Sequence, residues 1–111
     1  MRAVPLLILL FGLAACTQSP QQKQADQLRA EARKQGDAIK QRAEEQAAPL
    51  DQQADGLSKQ AKQAGGYTGK RLDVQADALK EQARLLREQA DKQAAAVKET
   101  ADARIKTIES R

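Results

Sequence analysis

Two long stripes free of charge constrain this chain more than any other feature. Positions 25, 28, 32, 36, 39, 43, 47, 50, 54, 57, 61 and 64 read Ala, Leu, Ala, Gly, Ile, Ala, Ala, Leu, Ala, Leu, Ala and Ala. Steps of three and four residues place them on one face of a helix. A glycine-rich interruption follows, Gly65-Gly66-Tyr67-Thr68-Gly69. A second stripe then runs through 72, 76, 79, 83, 86, 90, 94, 97, 101, 105 and 108, as Leu, Ala, Leu, Ala, Leu, Ala, Ala, Val, Ala, Ile and Ile. A helix with one apolar stripe must bury it against something. A short connection favours the neighbouring helix, packed antiparallel. The expected fold is all-α, a long antiparallel helical hairpin of coiled-coil type. Helix one should cover 20–64, the turn 65–69 and helix two 70–109. The same Ala, Gln, Lys and Glu richness, almost without aromatics, is also a composition of disordered chains. Partial disorder is therefore the alternative.

Two relations tie the stripes together. A shift of 58 residues superposes 25–50 on 83–108, with 10 identities in the 20 residues from 24 to 43. Within each copy the large side chains stand 11 apart, at Leu28, Ile39 and Leu50 and again at Leu86, Val97 and Ile108. Seven- and eleven-residue spacings are thus mixed, and an 11-residue repeat keeps a pair of helices nearly straight. The large residues are also mirrored about Thr68: Leu57 with Leu79, Leu50 with Leu86, Ile39 with Val97, and Leu28 with Ile108. A hairpin folded there would set each of these eight residues level with its partner and make them the packing contacts.

Local signals mark the ends. Ser19-Pro20-Gln21-Gln22 is a helix start, with Ser19 as cap, Pro20 at the first helical position and Gln22 completing a capping box. Thr68 is the candidate cap for the second helix. Pro49 falls inside the first helix, where proline removes a hydrogen bond and crowds the preceding turn. A kink or short break near Ala47–Ala48 is expected. Tyr67 is expected to pack over the hairpin end.

The composition excludes most chemistry. There is no His, so no imidazole base is available, the single Cys is the N-terminal one, and no metal-ligand cluster appears in the sequence. No phosphate-binding glycine loop occurs. The acidic pairs Glu44–Glu45 and Asp51–Asp55 read as solvated faces. Formal net charge is +4, but the signs alternate along the chain. Nucleic-acid binders gather Lys and Arg into a patch or stripe, so no nucleic-acid partner is expected. The chain is expected to be no enzyme and to use no cofactor.

The N-terminus supplies the functional signal. Arg2 precedes an unbroken apolar or small stretch from Val4 to Ala15, and the chain turns polar after Cys16. This is the layout of an export signal, and it is too short for a good spanning helix of about 20 residues. The residues Leu13-Ala14-Ala15-Cys16 closely resemble the lipobox of bacterial lipoproteins. That resemblance implies that residues 1–15 are a signal peptide recognised through Leu13, Ala14 and Ala15. It also implies a covalent lipid on the Cys16 thiol, with Cys16 as the new N-terminus. Residues 16–19 would then be anchor and tether. By further resemblance to enteric lipoproteins, Thr17 in place of Asp implies the outer membrane, facing the periplasm, rather than the inner membrane.

The whole layout resembles the helical murein lipoproteins, but the chain ends in Ile108-Glu109-Ser110-Arg111 instead of the Lys those proteins join to the wall. The expected role is structural or interaction-based. Its partners would be the membrane, through the lipid, and either a second copy or another envelope protein. The alternative is a stress-protective amphipathic protein lying on the membrane surface. The 11-residue Ala/Lys/Gln/Glu pattern resembles late-embryogenesis-abundant proteins, perilipins and apolipoproteins in this respect.

Overall fold

The computed structural model describes residues 19–110. Two helices account for nearly all of them. Helix α1 covers Pro20–Ala64, 45 residues. Helix α2 covers Gly66–Glu109, 44 residues. They pack side by side as a hairpin about 67 Å long, at 1.5 Å of rise per residue. The expected all-α antiparallel hairpin is the fold.

The start of α1 follows from its first four residues. Ser19 has extended backbone (φ −70°, ψ 152°), and its Oγ accepts a hydrogen bond from the Gln22 amide at 3.1 Å. Pro20 has no amide to satisfy at that end. The helix then continues through Pro49 without the expected break. Pro49 lies on the exposed side of α1, where water can reach the carbonyl that its missing N–H leaves free.

The turn is tighter than the five residues expected. Only Gly65 lies between the helices, and α2 begins at Gly66 instead of residue 70. Gly65 takes φ 64° and ψ 178°, a region nearly confined to glycine. Gly66 follows with φ 58°. Two successive left-handed residues reverse the chain without a longer loop. The Gly65 amide donates to the Ala61 carbonyl, and the Gly69 amide donates to the Gly65 carbonyl, both at 3.0 Å. Thr68 therefore lies inside α2 and caps nothing; Gly65 holds the cap position without a side-chain bond.

Register differs from the mirror about Thr68. The hairpin is centred on Gly65, so Ala61 faces Gly69 and Gly36 faces Ala94. A Cβ built on Gly36 would lie 3.6 Å from the Ala94 Cβ, and one built on Gly69 would lie 2.7 Å from the Ala61 carbonyl oxygen. Among the described residues the buried apolar side chains are nine alanines and Ile105. They fall level with each other: Ala25 with Ile105, Ala47 with Ala83, Ala54 with Ala76. The eight large residues expected to face each other are half-buried flanks of this alanine seam. Leu57 is level with Leu72, and Leu50 with Leu79, one step away from the expected pairs. The reason is steric. Leucine on the seam itself would hold the axes apart, whereas alanine against alanine lets two backbones close up and leaves the leucines on the flanks.

Candidate functional site

Leu13, Ala14, Ala15 and Cys16, the recognition and lipidation residues read from the sequence, lie outside the described residues. So does most of the tether at 16–19; Ser19 alone is described, as the cap of α1. By sequence, two residues, Thr17 and Gln18, separate Cys16 from that cap.

The chemistry available along the hairpin is electrostatic. Arg87, on α2, reaches across to α1 with both of its forked nitrogens. Its Nε and Nη2 donate to Glu44 at 2.9 Å each, and Nη2 lies 2.8 Å from an Asp51 carboxylate oxygen. Glu44 and Asp51 stand on either side of Pro49, so one guanidinium holds the two ends of the proline turn. The Arg87 hydrogen bonds keep the Glu44 carboxyl below its ordinary range, against the opposing effect of desolvation. In return these bonds raise the Arg87 pKa, Glu44 foremost and Asp51 next. A second clasp joins Arg29 of α1 to Glu109 of α2 at 3.5 Å. Arg84 binds Glu81 and Glu88 along α2 itself. Glu44 and Asp51 lie on solvent-facing sides as expected, with side chains 59% and 38% exposed, and in addition both hold Arg87. The sequence carried a signal for this: Glu44 and Asp51 are seven residues apart and share a face.

A shallow groove of about 540 Å³ opens between the helices around Gly36 and Ala94. Arg33, Lys40 and Lys98 line it together with Asp37, Asp91 and Asp102. Mixed signs on an open wall give no focused field for an anion or a cation. Among the described residues no group of three or more His, Cys, Asp or Glu could hold a metal ion. Among the same residues no helix is long and apolar enough to cross a membrane.

Among the described residues three large apolar side chains are exposed, and two of them had no expected role. Tyr67 is 78% exposed, Val74 67% and Leu85 50%. Tyr67 therefore stands out from the hairpin end and does not pack over it. No family model, curated protein or solved structure matches the chain.

Proposed function

We propose that this chain is a lipid-anchored, non-enzymatic envelope protein that displays its hairpin from the outer membrane into the periplasm. The observation that carries the reading is Leu13-Ala14-Ala15-Cys16 at the end of an apolar N-terminal stretch. It joins four features in one place: a basic start, an apolar run, small residues at the cut, and the only thiol of the chain. Acylation gives that thiol a use. Two or more acyl chains hold a protein firmly at a bilayer, whereas one is marginal.

The hairpin suits display. Its seam is alanine and its large apolar residues already flank that seam, so α1 and α2 satisfy each other without lipid. The short tether fixes the Ser19 end at the surface and leaves Gly65 as the far tip. The role is then to present side chains at a set distance, to a second copy or another envelope protein, and not to transform a substrate.

Replacing Cys16→Ser tests the anchor. The variant should lose lipid labelling, retain residues 1–15 and fail to mature. A Cys16→Ser chain that is still cut after Ala15 and still sediments with membranes would sink the reading.

A further inference from the structure

The two helices differ on the faces turned away from the seam. On α1 the outer face near the tip is polar, with Glu45, Gln52, Lys59 and Gln63, all exposed. On α2 the corresponding face carries the charges Arg71 and Glu81 at its two edges and, along its middle, Tyr67, Val74, Ala78 and Leu85, all exposed. These four lie opposite Ala76 and Ala83 of the seam. Tyr67 and Leu85 are 18 residues apart, five turns of helix, so they stand on one line.

We propose that this line of α2 binds the same line of a second copy of this chain, antiparallel, about a two-fold axis level with Ala76. The spacing fits that partner. Tyr67 and Leu85 are each nine residues from Ala76, and Val74 and Ala78 are each two. An isologous antiparallel contact needs such a palindrome, because each residue must meet its mirror position. Tyr67 of one copy is level with Leu85 of the other, and Val74 with Ala78. The charges beside the line agree with this choice. Lys70 and Glu81 lie on the same flank of α2, six and five residues from Ala76, and so come within one residue of level across the axis. In an antiparallel pair like flanks meet, so Lys70 of each copy faces Glu81 of its partner. Lys70 has no ion pair within the hairpin, whereas Glu81 is held in place by Arg84 at 3.0 Å. In a parallel pair the flanks would not bring these two together.

The contact is small. Eighteen residues extend about 27 Å, and one helix face of that length falls well short of the roughly 800 Å² per partner of a standard interface. Association is therefore weak and concentration-dependent. The bases of the two hairpins point away from each other, so two lipid-anchored copies pair in this way only from opposed membrane surfaces or with both hairpins laid along one. The pairing stands on the hairpin alone and does not depend on the lipid anchor.

Zero-length carbodiimide coupling of the full chain, mixed in equal parts from light and isotopically heavy material, tests the proposal. Within one helix Lys70 and Glu81 are about 16 Å apart and cannot be joined. A Lys70–Glu81 link of mixed isotope therefore reports the antiparallel pair. It should grow with concentration and be lost in Leu85→Lys, while the circular dichroism of that variant stays helical. A chain that remains monomeric up to about 1 mM overturns the pairing. If Tyr67 fluorescence in that monomer is then shielded by added phosphatidylcholine vesicles, the face belongs to lipid instead. Links that join Lys70 only to acidic residues near its own level, such as Asp73, would overturn the antiparallel geometry.

Discussion

The base and the tip of the hairpin are built on different rules. At the base, 25–50 packs against 83–108, and these are the two copies related by the 58-residue shift. The shift maps Gly36 onto Ala94, and these two positions face each other. It maps Ala25 onto Ala83 and Ala47 onto Ile105, so Ala25/Ile105 and Ala47/Ala83 are equivalent contacts. It also maps Arg87–Asp51 onto Arg29–Glu109, and both ion pairs form. The base is thus an antiparallel pair of like helices with an internal two-fold at Gly36 and Ala94. The tip has no such symmetry. Its chain is not repeated, its turn is two left-handed glycines, and Gly69 lies against the Ala61 backbone. A repeated helix can find its own partner through self-complementarity. The link between two such helices has to be fitted residue by residue, and glycine does the fitting.

Substitution of Gly69 should do the most damage. A Cβ there would sit 2.7 Å from the Ala61 carbonyl oxygen, a backbone atom that cannot swing aside. In an unhindered helix interior, glycine to alanine gains about 0.5–1 kcal/mol. At the tip, overpacking of about 1–3 kcal/mol outweighs that gain. Gly69→Ala should lower the urea midpoint of the chain. A raised midpoint would mean that the helices do not touch at the tip and that the contrast with the base fails.

Gly36 should respond with the opposite sign. A Cβ there meets Ala94 at 3.6 Å, an ordinary contact. Gly36→Ala should therefore stabilise the hairpin by about 0.5–1 kcal/mol through helix propensity alone. The change would also make the internal two-fold more exact, alanine against alanine. Loss of stability on denaturant titration would show that the base is packed as tightly as the tip.

The extent of each helix was largely legible, because a charge-free stripe with 3/4 spacing and the Ser19-Pro20 start leave few alternatives. Register was not. The mirror of large residues about Thr68 matches large side chains to large ones, and it overlooks how little room two helices need when alanine occupies most seam positions. Ala47, Ala54, Ala61 and Ala76, Ala83, Ala90 at strict seven-residue spacing were the better guide. The turn was misjudged for a related reason. Five small or polar residues suggest a loop, yet two adjacent glycines with positive φ complete the reversal, and Thr68 and Gly69 are already helical. Pro49 reads as a breaker from propensity; on an exposed side, with Arg87 holding Glu44 and Asp51, it is carried within the helix. Arg87 itself has no local partner that explains it, and only the register brings its two carboxylates within reach. Cys16 and the residues before it lie outside the described part of the chain, so the anchor rests on sequence.

The smallest expected effect concerns the Arg87 clasp, and pH isolates it. Arg87 holds the Glu44 carboxyl below the ordinary value near 4.5, chiefly by hydrogen bonding. A carboxyl whose pKa is lower folded than unfolded stabilises the fold when ionised in both states. That contribution is fully present above the unfolded pKa and disappears as pH falls through the lowered folded value. Glu44→Gln cannot ionise and lacks the contribution at every pH. The difference in urea midpoint between the parent chain and Glu44→Gln should be constant from about pH 7 to 5 and shrink below about 4.5. Other carboxyls titrate in the same range, but they are common to both chains and cancel in the difference. The effect is modest because the Glu44 side chain is 59% exposed and that of Arg87 38%, so solvent screens the pair. Added salt should narrow the plateau further. Glu81, whose carboxyl is also lowered by its neighbour Arg84, gives the internal control. Its pair lies within one helix and does not cross the seam. At a concentration where the chain is monomeric, Glu81→Gln should therefore leave the packing of α2 on α1 intact, as read by amide hydrogen exchange at Ala47 and Ala83, whereas Glu44→Gln should loosen it around Pro49. Equal loosening by both variants would show that the clasp across the proline turn does not couple the two helices.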